Sequence, residues 1–165
     1  MNFGPWLQSW LQGVAERLAT KGYSRFDPTV YDPLGIKYAA RRTRPGALGL
    51  GSVDDFFILA VIEELDAARL HDFSSYSFQF ADSNTDGVRG FFLNLLCYPV
   101  AVTEKLDPRL AKQVQQTAPP IHRDAVVMPT VFDLATGQFA YFRGTSLWTL
   151  GYGDEMRGEI ETTLR

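Results

Sequence analysis

Cysteine is all but missing. Cys97 is the one thiol in 165 residues, so no disulfide closes within the chain and no cysteine-based metal site assembles from it. Histidine is nearly as scarce: His71 and His122 stand 51 positions apart, outside any H-x-x-x-H or H-E-x-x-H spacing. A zinc centre would need carboxylates to complete it, so no metal and no cofactor are expected. Positive charge is also in short supply, with 16 Lys and Arg against 19 Asp and Glu, net −3. Nucleic acids and anionic membranes are held by clustered cations, so neither is an expected partner.

Long apolar runs are lacking too. The longest, Phe56–Ile62, has seven residues, far short of the ~20 that cross a bilayer. The opening MNFGPWLQSWLQG has no basic stretch ahead of a long apolar one, so no secretory signal is expected, and with a single thiol the expected location is cytoplasmic. Repeats and low-complexity tracts are absent. Serine does not occur in a G-x-S-x-G elbow. Gly151, Gly153 and Gly158 are wrongly spaced for a dinucleotide loop, and no room follows for a parallel βαβ unit.

What is present is ordinary globular composition, 45% hydrophobic and 21% charged, enough for one domain spanning 1–165. Pro5 to about Lys21 predicts an amphipathic helix: Trp6, Leu7, Trp10, Leu11, Val14 and Leu18 share a stripe, Pro5 suits the first turn and Gly22 the stop. Residues 23–52 read as irregular, with Gly35–Ala40 as a short strand. Ser52 to about Leu70 reads as a second helix, apolar all round at Phe56–Ile62, with Ser52 as N-cap and Asp55 at the capping-box position. Alternation of Tyr76, Phe78 and Phe80 with Ser75, Ser77 and Gln79 predicts a strand over Asp72–Asp82, paired through a Ser83–Gly87 turn with an apolar strand at Phe91–Thr103.

A third helix is expected over Lys105–Ala118, with Asp107 as N-cap, Pro108 at the first helical position, and Leu110 and Val114 buried. Ala125–Phe142 reads as a hairpin at the middle of the sheet. Its first arm is apolar at both parities, and its turn is built by Asp133 bonding forward and Gly137 at positive φ. Met156, Ile160 and Leu164 mark a last helix, with Asp154 and Glu155 in its first turn. The expected fold is therefore α+β: an antiparallel sheet of four to five strands with about four helices, in the order α-α-β-β-α-β-β-α.

Candidate chemistry is thin. Arg41, Arg42 and Arg44 precede a glycine-rich turn, Gly46–Gly51, and a helix start at Ser52; such an order cradles anions. Gly49, Gly51 and Ser52 would supply backbone donors. Asp54 and Asp55 in the first turn would repel an anion, so a plain turn with a cap is the preferred reading and the anion site its specific alternative. Cys97, in an apolar run, reads as an inert buried thiol. Asp54, Asp55, Glu63 and Glu64 read as a solvated face. A nuclease centre around Asp133 fails, because Gln138–Arg143 carries no Glu-x-Lys. Pro99 and Pro129 each interrupt a strand-like run; if adjacent, they mark an irregular spot able to hold a ligand, otherwise two separate bulges, which is the favoured reading.

The Trp6/Trp10 stripe reads first as docking on the domain's own core and alternatively on another subunit, while the apolar helix at Phe56, Phe57 and Ile58 is covered either by the irregular segment or, as preferred, by a second copy. The element order resembles that of small α+β chaperone-like domains that bind partner segments across a sheet and act as dimers. The resemblance implies a non-enzymatic protein-interaction domain, working as a homodimer with a further protein partner. The competing reading is a small-molecule or anion-binding protein, or an enzyme, using the three arginines.

Overall fold

A computed structural model describes residues 4–26, 34–46, 49, 51–85, 93–122, 124–145 and 152–165. Four helices and eight strands follow in the order α1 (Pro5–Thr20), β1 (Ser24–Arg25), β2 (Ile36–Pro45), β3 (Ser52–Val61), α2 (Ala67–Ser83), β4 (Leu95–Thr103), α3 (Pro108–Gln116), β5 (Ile121–His122), β6 (Ala125–Val127), β7 (Thr130–Asp133), β8 (Phe139–Tyr141) and α4 (Gly153–Leu164). The α+β class with four helices is as expected. The sheet is mixed rather than antiparallel: β1-β2-β3 run antiparallel, β4 joins β3 in parallel, and β6 and β7 both join β4 in parallel. Parallel neighbours need a crossover, and α2 and α3 supply it.

Two sequence expectations are exchanged. The run from Ser52 is a strand, not a helix, and Asp72–Asp82 lies in a helix, not a strand. A short apolar run is compatible with either element, and here Arg42 and Thr43 of β2 sit opposite Asp55 and Asp54, which ties 52–61 into a ladder. In α2 the buried stripe is Leu70, Phe73, Ser74, Ser77 and Ala81. Serines at two of those positions hide the helical period from a polarity reading, while the aromatic alternation imitates a strand. Asp66 caps this helix, accepting from the Arg69 N–H at 2.8 Å. Residues 36–45, expected to be largely irregular, form the long strand β2. The Ser83–Gly87 turn and the Phe91 strand start fall partly outside the described residues. With the order changed, the resemblance to chaperone-like domains loses the element order it rested on.

Other expectations hold. Pro5 and Pro108 sit in first helical turns, and Asp107 caps α3 through the Arg109 N–H at 2.7 Å. Leu110, Val114, Met156, Ile160 and Leu164 are buried. The hairpin expected over Ala125–Phe142 is present in part: its turn forms, with Asp133 accepting from the Ala135 and Thr136 N–H groups and Gly137 at φ 68°, but its first arm is divided into β6 and β7 and it does not lie at the middle of the sheet. The middle of the sheet is β4, buried at every position, and β8 pairs with β7 alone.

Alternation along the strands divides the core. Val53, Phe57, Leu59, Leu96, Tyr98, Val100, Val102 and Phe132 face α1 and α4. Phe56, Ile58, Ala60, Leu95, Cys97, Ala101, Ala125, Val127 and Ala140 face α2 and α3. The first face is filled by large rings; Phe57 stacks on Tyr98 at 4.4 Å and Trp10 on Phe132 at 4.3 Å. The second is floored mainly by Ala, Cys and Val toward β6 and β8. Phe56, Phe57 and Ile58 are fully buried by the chain's own helices, each contributing about 1.5–3 kcal/mol by burial. They are core residues and cannot serve as an oligomer surface. Trp10 is likewise packed within the chain, its Nε1–H donating to the Leu164 carbonyl at 3.3 Å; Trp6 alone of the large hydrophobics among the described residues is exposed, at 52%.

Register explains the two prolines. Cys97 pairs with Val127 and Val100 with Thr130, the same offset on either side of a gap, so Pro99 stands beside Pro129. The irregularity is a single break in the β4 ladder, between β6 and β7, rather than two separate bulges.

Candidate functional site

The arginine segment lies in β2, and its guanidinium groups turn inward toward β3. On the α1/α4 face Arg42 Nε and Arg44 Nε donate to Asp55 Oδ2 at 3.0 and 2.9 Å. Arg42 also donates to the Lys21 carbonyl, stacks over Tyr23 at 4.4 Å and pairs with Glu159 at 3.5 Å. Arg44 pairs with Glu155, and Lys21 with Glu159 at 3.6 Å. On the α2 face Asp54 accepts from Arg41 at 3.1 Å, from Thr43 at 2.5 Å and from the Thr85 hydroxyl. Far from being a solvated face, Asp54 and Asp55 are 1% and 0% exposed.

Electrostatics follow from this pairing. Burial opposes the charge on Arg42 and Arg44, yet hydrogen bonds to Asp55 hold both guanidinium groups above their ordinary range. Burial raises the Asp54 carboxyl, but the bonds from Thr43 and Thr85 and the Arg41 charge outweigh it, leaving Asp54 below its usual value. Four cations, Lys21, Arg41, Arg42 and Arg44, face four carboxylates, Asp54, Asp55, Glu155 and Glu159. A bound anion would have to displace a buried carboxylate and leave it unpaired, which costs several kcal/mol. Ser52 opens β3 and caps no helix. Gly49 and Gly51, at φ 72° and 68°, serve the β2–β3 turn, where the Gly46 N–H donates to the Gly51 carbonyl.

A cavity of about 470 Å³ opens instead on the other face, between α2 and α3. α2 contributes Leu70, His71, Ser74, Ser75, Phe78 and Gln79, and α3 contributes Leu110, Gln113 and Val114. Pro119 and Pro120 of the turn after α3 and His122 of β5 close one side, and Val127 and Pro129 form part of the floor. Pro129, beside the break in the β4 ladder, and Phe142, just after β8, lie on this sheet side of the cavity. Both histidines of the chain line this cavity although 51 residues separate them in sequence. The His122 ring stacks on Phe78 at 3.7 Å and 15°. Burial holds the His122 imidazole below its ordinary pKa, against the pull of Asp82 and Asp124. The Ser74 hydroxyl donates within α2 to the Leu70 carbonyl at 2.7 Å.

The other chemistry-bearing residues serve structure. Cys97 is fully buried and burial pushes its thiol up, so it stays protonated and is a poor nucleophile. Asp133 builds the β7–β8 turn and accepts from the Leu106 N–H at 3.2 Å. Among the described residues no group of three or more His, Cys, Asp or Glu side chains is placed to hold a metal, and no helix is long and apolar enough to cross a membrane. Neither the α2–α3 cavity nor the Phe78–His122 stack was foreseen from sequence. The signals that point there are Pro119-Pro120, Pro129 and the serines on the buried stripe of α2. Comparison with protein-family models, curated proteins and solved structures returns no match, so the reading of this site rests on its own geometry.

Proposed function

We propose that the chain is a binding domain whose site is the α2–α3 cavity and whose ligand is a small, largely apolar molecule, bound and not transformed. The observation that carries this reading is the cavity itself. Its volume of about 470 Å³ lies in the range of small-molecule sites, and its lining combines apolar side chains with a few polar ones, as such sites do. The small-molecule half of the sequence alternative is thereby kept, at a different place from the arginine segment. Cytoplasmic location belongs to the same proposal.

The test is titration with an environment-sensitive apolar dye. Ser75→Trp, at a half-buried position of the cavity wall, fills the space without touching the core. It should weaken dye binding by at least about tenfold, the loss of roughly 1.4 kcal/mol, with the melting temperature little changed. Trp6→Gln should leave dye affinity as it was. Dye binding that survives Ser75→Trp places the ligand elsewhere and defeats the proposal.

A second reading keeps a protein partner, as a homodimer or a heterologous contact through the start of α1, where Trp6 is 52% exposed. Light scattering across a concentration series decides it. A dimer that dissociates in Trp6→Gln supports it, and a monomer at every concentration removes the homodimer.

A further inference from the structure

We infer that the α2–α3 cavity takes an uncharged, flat aromatic or heteroaromatic molecule, gripped by ring-bearing walls and oriented by amide and hydroxyl groups; this rests on the binding reading above and names its ligand class. Three observations carry it. The first is charge. Among the described residues, no Lys, Arg, Asp or Glu side chain lines the cavity. A charged group brought into an apolar space without a counterion loses several kcal/mol of solvation. Among the described residues, the charges that act on His122 from nearby, Asp82 and Asp124, are both negative and further disfavour an anion beside it.

The second observation is shape. His71, Phe78, Pro119, Pro120, His122 and Pro129 all line the cavity, and all are rings with few internal rotations. Flat, stiff walls suit a flat guest, since little side-chain freedom is lost when it enters. The Phe78–His122 pair is already stacked at 3.7 Å, so a third ring extends an existing stack, an arrangement worth about 0.5–1.5 kcal/mol per aromatic pair beyond area burial. A flexible alkyl chain gains no such stacking and loses its own rotational freedom on binding.

The third observation is the placement of polar groups. Ser75, Gln79, Gln113 and Thr117 belong to the lining, on the walls from α2 and α3. Neutral amides and hydroxyls both donate and accept, so they match a ring nitrogen, carbonyl or phenol. They offer little to a carboxylate or phosphate, which is normally met by Arg, Lys or a helix N-terminus.

The experiment titrates the full chain with N-phenyl-1-naphthylamine, its anionic relative 8-anilino-1-naphthalenesulfonate, cationic 1-naphthylmethylammonium, and 1-decanol as a flexible neutral competitor. The neutral arene should bind at least about tenfold tighter than either charged arene, and decanol should displace it only in large excess. His122→Ala should weaken the neutral arene about three- to tenfold, and His122→Phe, which keeps a flat ring, should restore it. Equal or tighter binding of a charged arene, equal binding of decanol, or a His122→Phe variant as weak as His122→Ala overturns the inference. Ser75→Trp separates this from failure of the binding reading: if it abolishes binding of every probe while their ranking is wrong, the cavity is the site and only the ligand class is mistaken.

Discussion

The Thr130 hydroxyl donates to the carbonyl of Met128 at 3.3 Å inside the sheet, and it does so where a proline has removed the usual donor. The Met128 N–H donates to the Cys97 carbonyl at 2.9 Å. In a parallel ladder the Met128 carbonyl would then accept from the backbone two positions beyond Cys97, which is Pro99 and has no N–H. A side chain thus fills the vacancy in the ladder.

Thr130→Val should therefore orphan a buried carbonyl and destabilise the protein by about 1–3 kcal/mol. Pro99→Ala restores the backbone donor, so in that background Thr130→Val should cost less than half as much. Urea unfolding of the four variants closes the cycle. Equal costs in both backgrounds would show that the hydroxyl is not standing in for the proline.

The arginines of β2 should behave as structural counterions. Replacing Arg41, Arg42 and Arg44 together with Gln leaves two buried carboxylates uncompensated, and a loss of at least about 3–5 kcal/mol is expected. Calorimetry should show a melting temperature lowered by about 6–20 °C. An unchanged melting temperature, as a dedicated surface anion site would give, contradicts this role.

Asp54 sets an acid limb. Its carboxyl titrates below its usual value in the fold, held down by Thr43, Thr85 and Arg41 against the effect of burial. The stability it contributes is then present above the unfolded-state pKa of about 3.9 and is lost as pH falls through the lower folded value. Thermal unfolding of wild type should steepen below about pH 4, and Asp54→Asn should flatten that limb while lowering stability above it.

His122 works at milder pH. Burial depresses its pKa in the fold, opposed by Asp82 and Asp124, so the unfolded chain binds the proton more readily. Stability should decline as pH falls below the ordinary histidine value of about 6.5. His122→Phe keeps the stack on Phe78 and removes the proton, so its stability should vary less between pH 7 and 5. A wild-type slope that persists unchanged in the variant would assign it to another group.

Cys97 should be silent. Buried in β4 with its thiol pushed up, it should react with a thiol reagent only at the rate of unfolding or local opening. One equivalent should be released at once in denaturant. Prompt labelling of the native protein would contradict its burial.

The sequence by itself determined what local chemistry decides: α1 between Pro5 and Gly22, the Asp107-Pro108 start of α3, the Asp133–Gly137 turn, the α4 stripe and the buried state of Cys97. Each depends on residues within a turn or two of one another. Only the tertiary structure decided whether Ser52–Val61 is strand or helix, because seven apolar residues fit either and the pairing of Arg42 with Asp55 comes from another strand. Likewise only α2 packed on the sheet shows that Ser74 and Ser77 belong inside. The cavity was the least legible feature of all. It is an unfilled volume between two helices separated in sequence, bordered by Pro129, which stands beside a proline 30 positions away, and by two histidines that no local spacing connects.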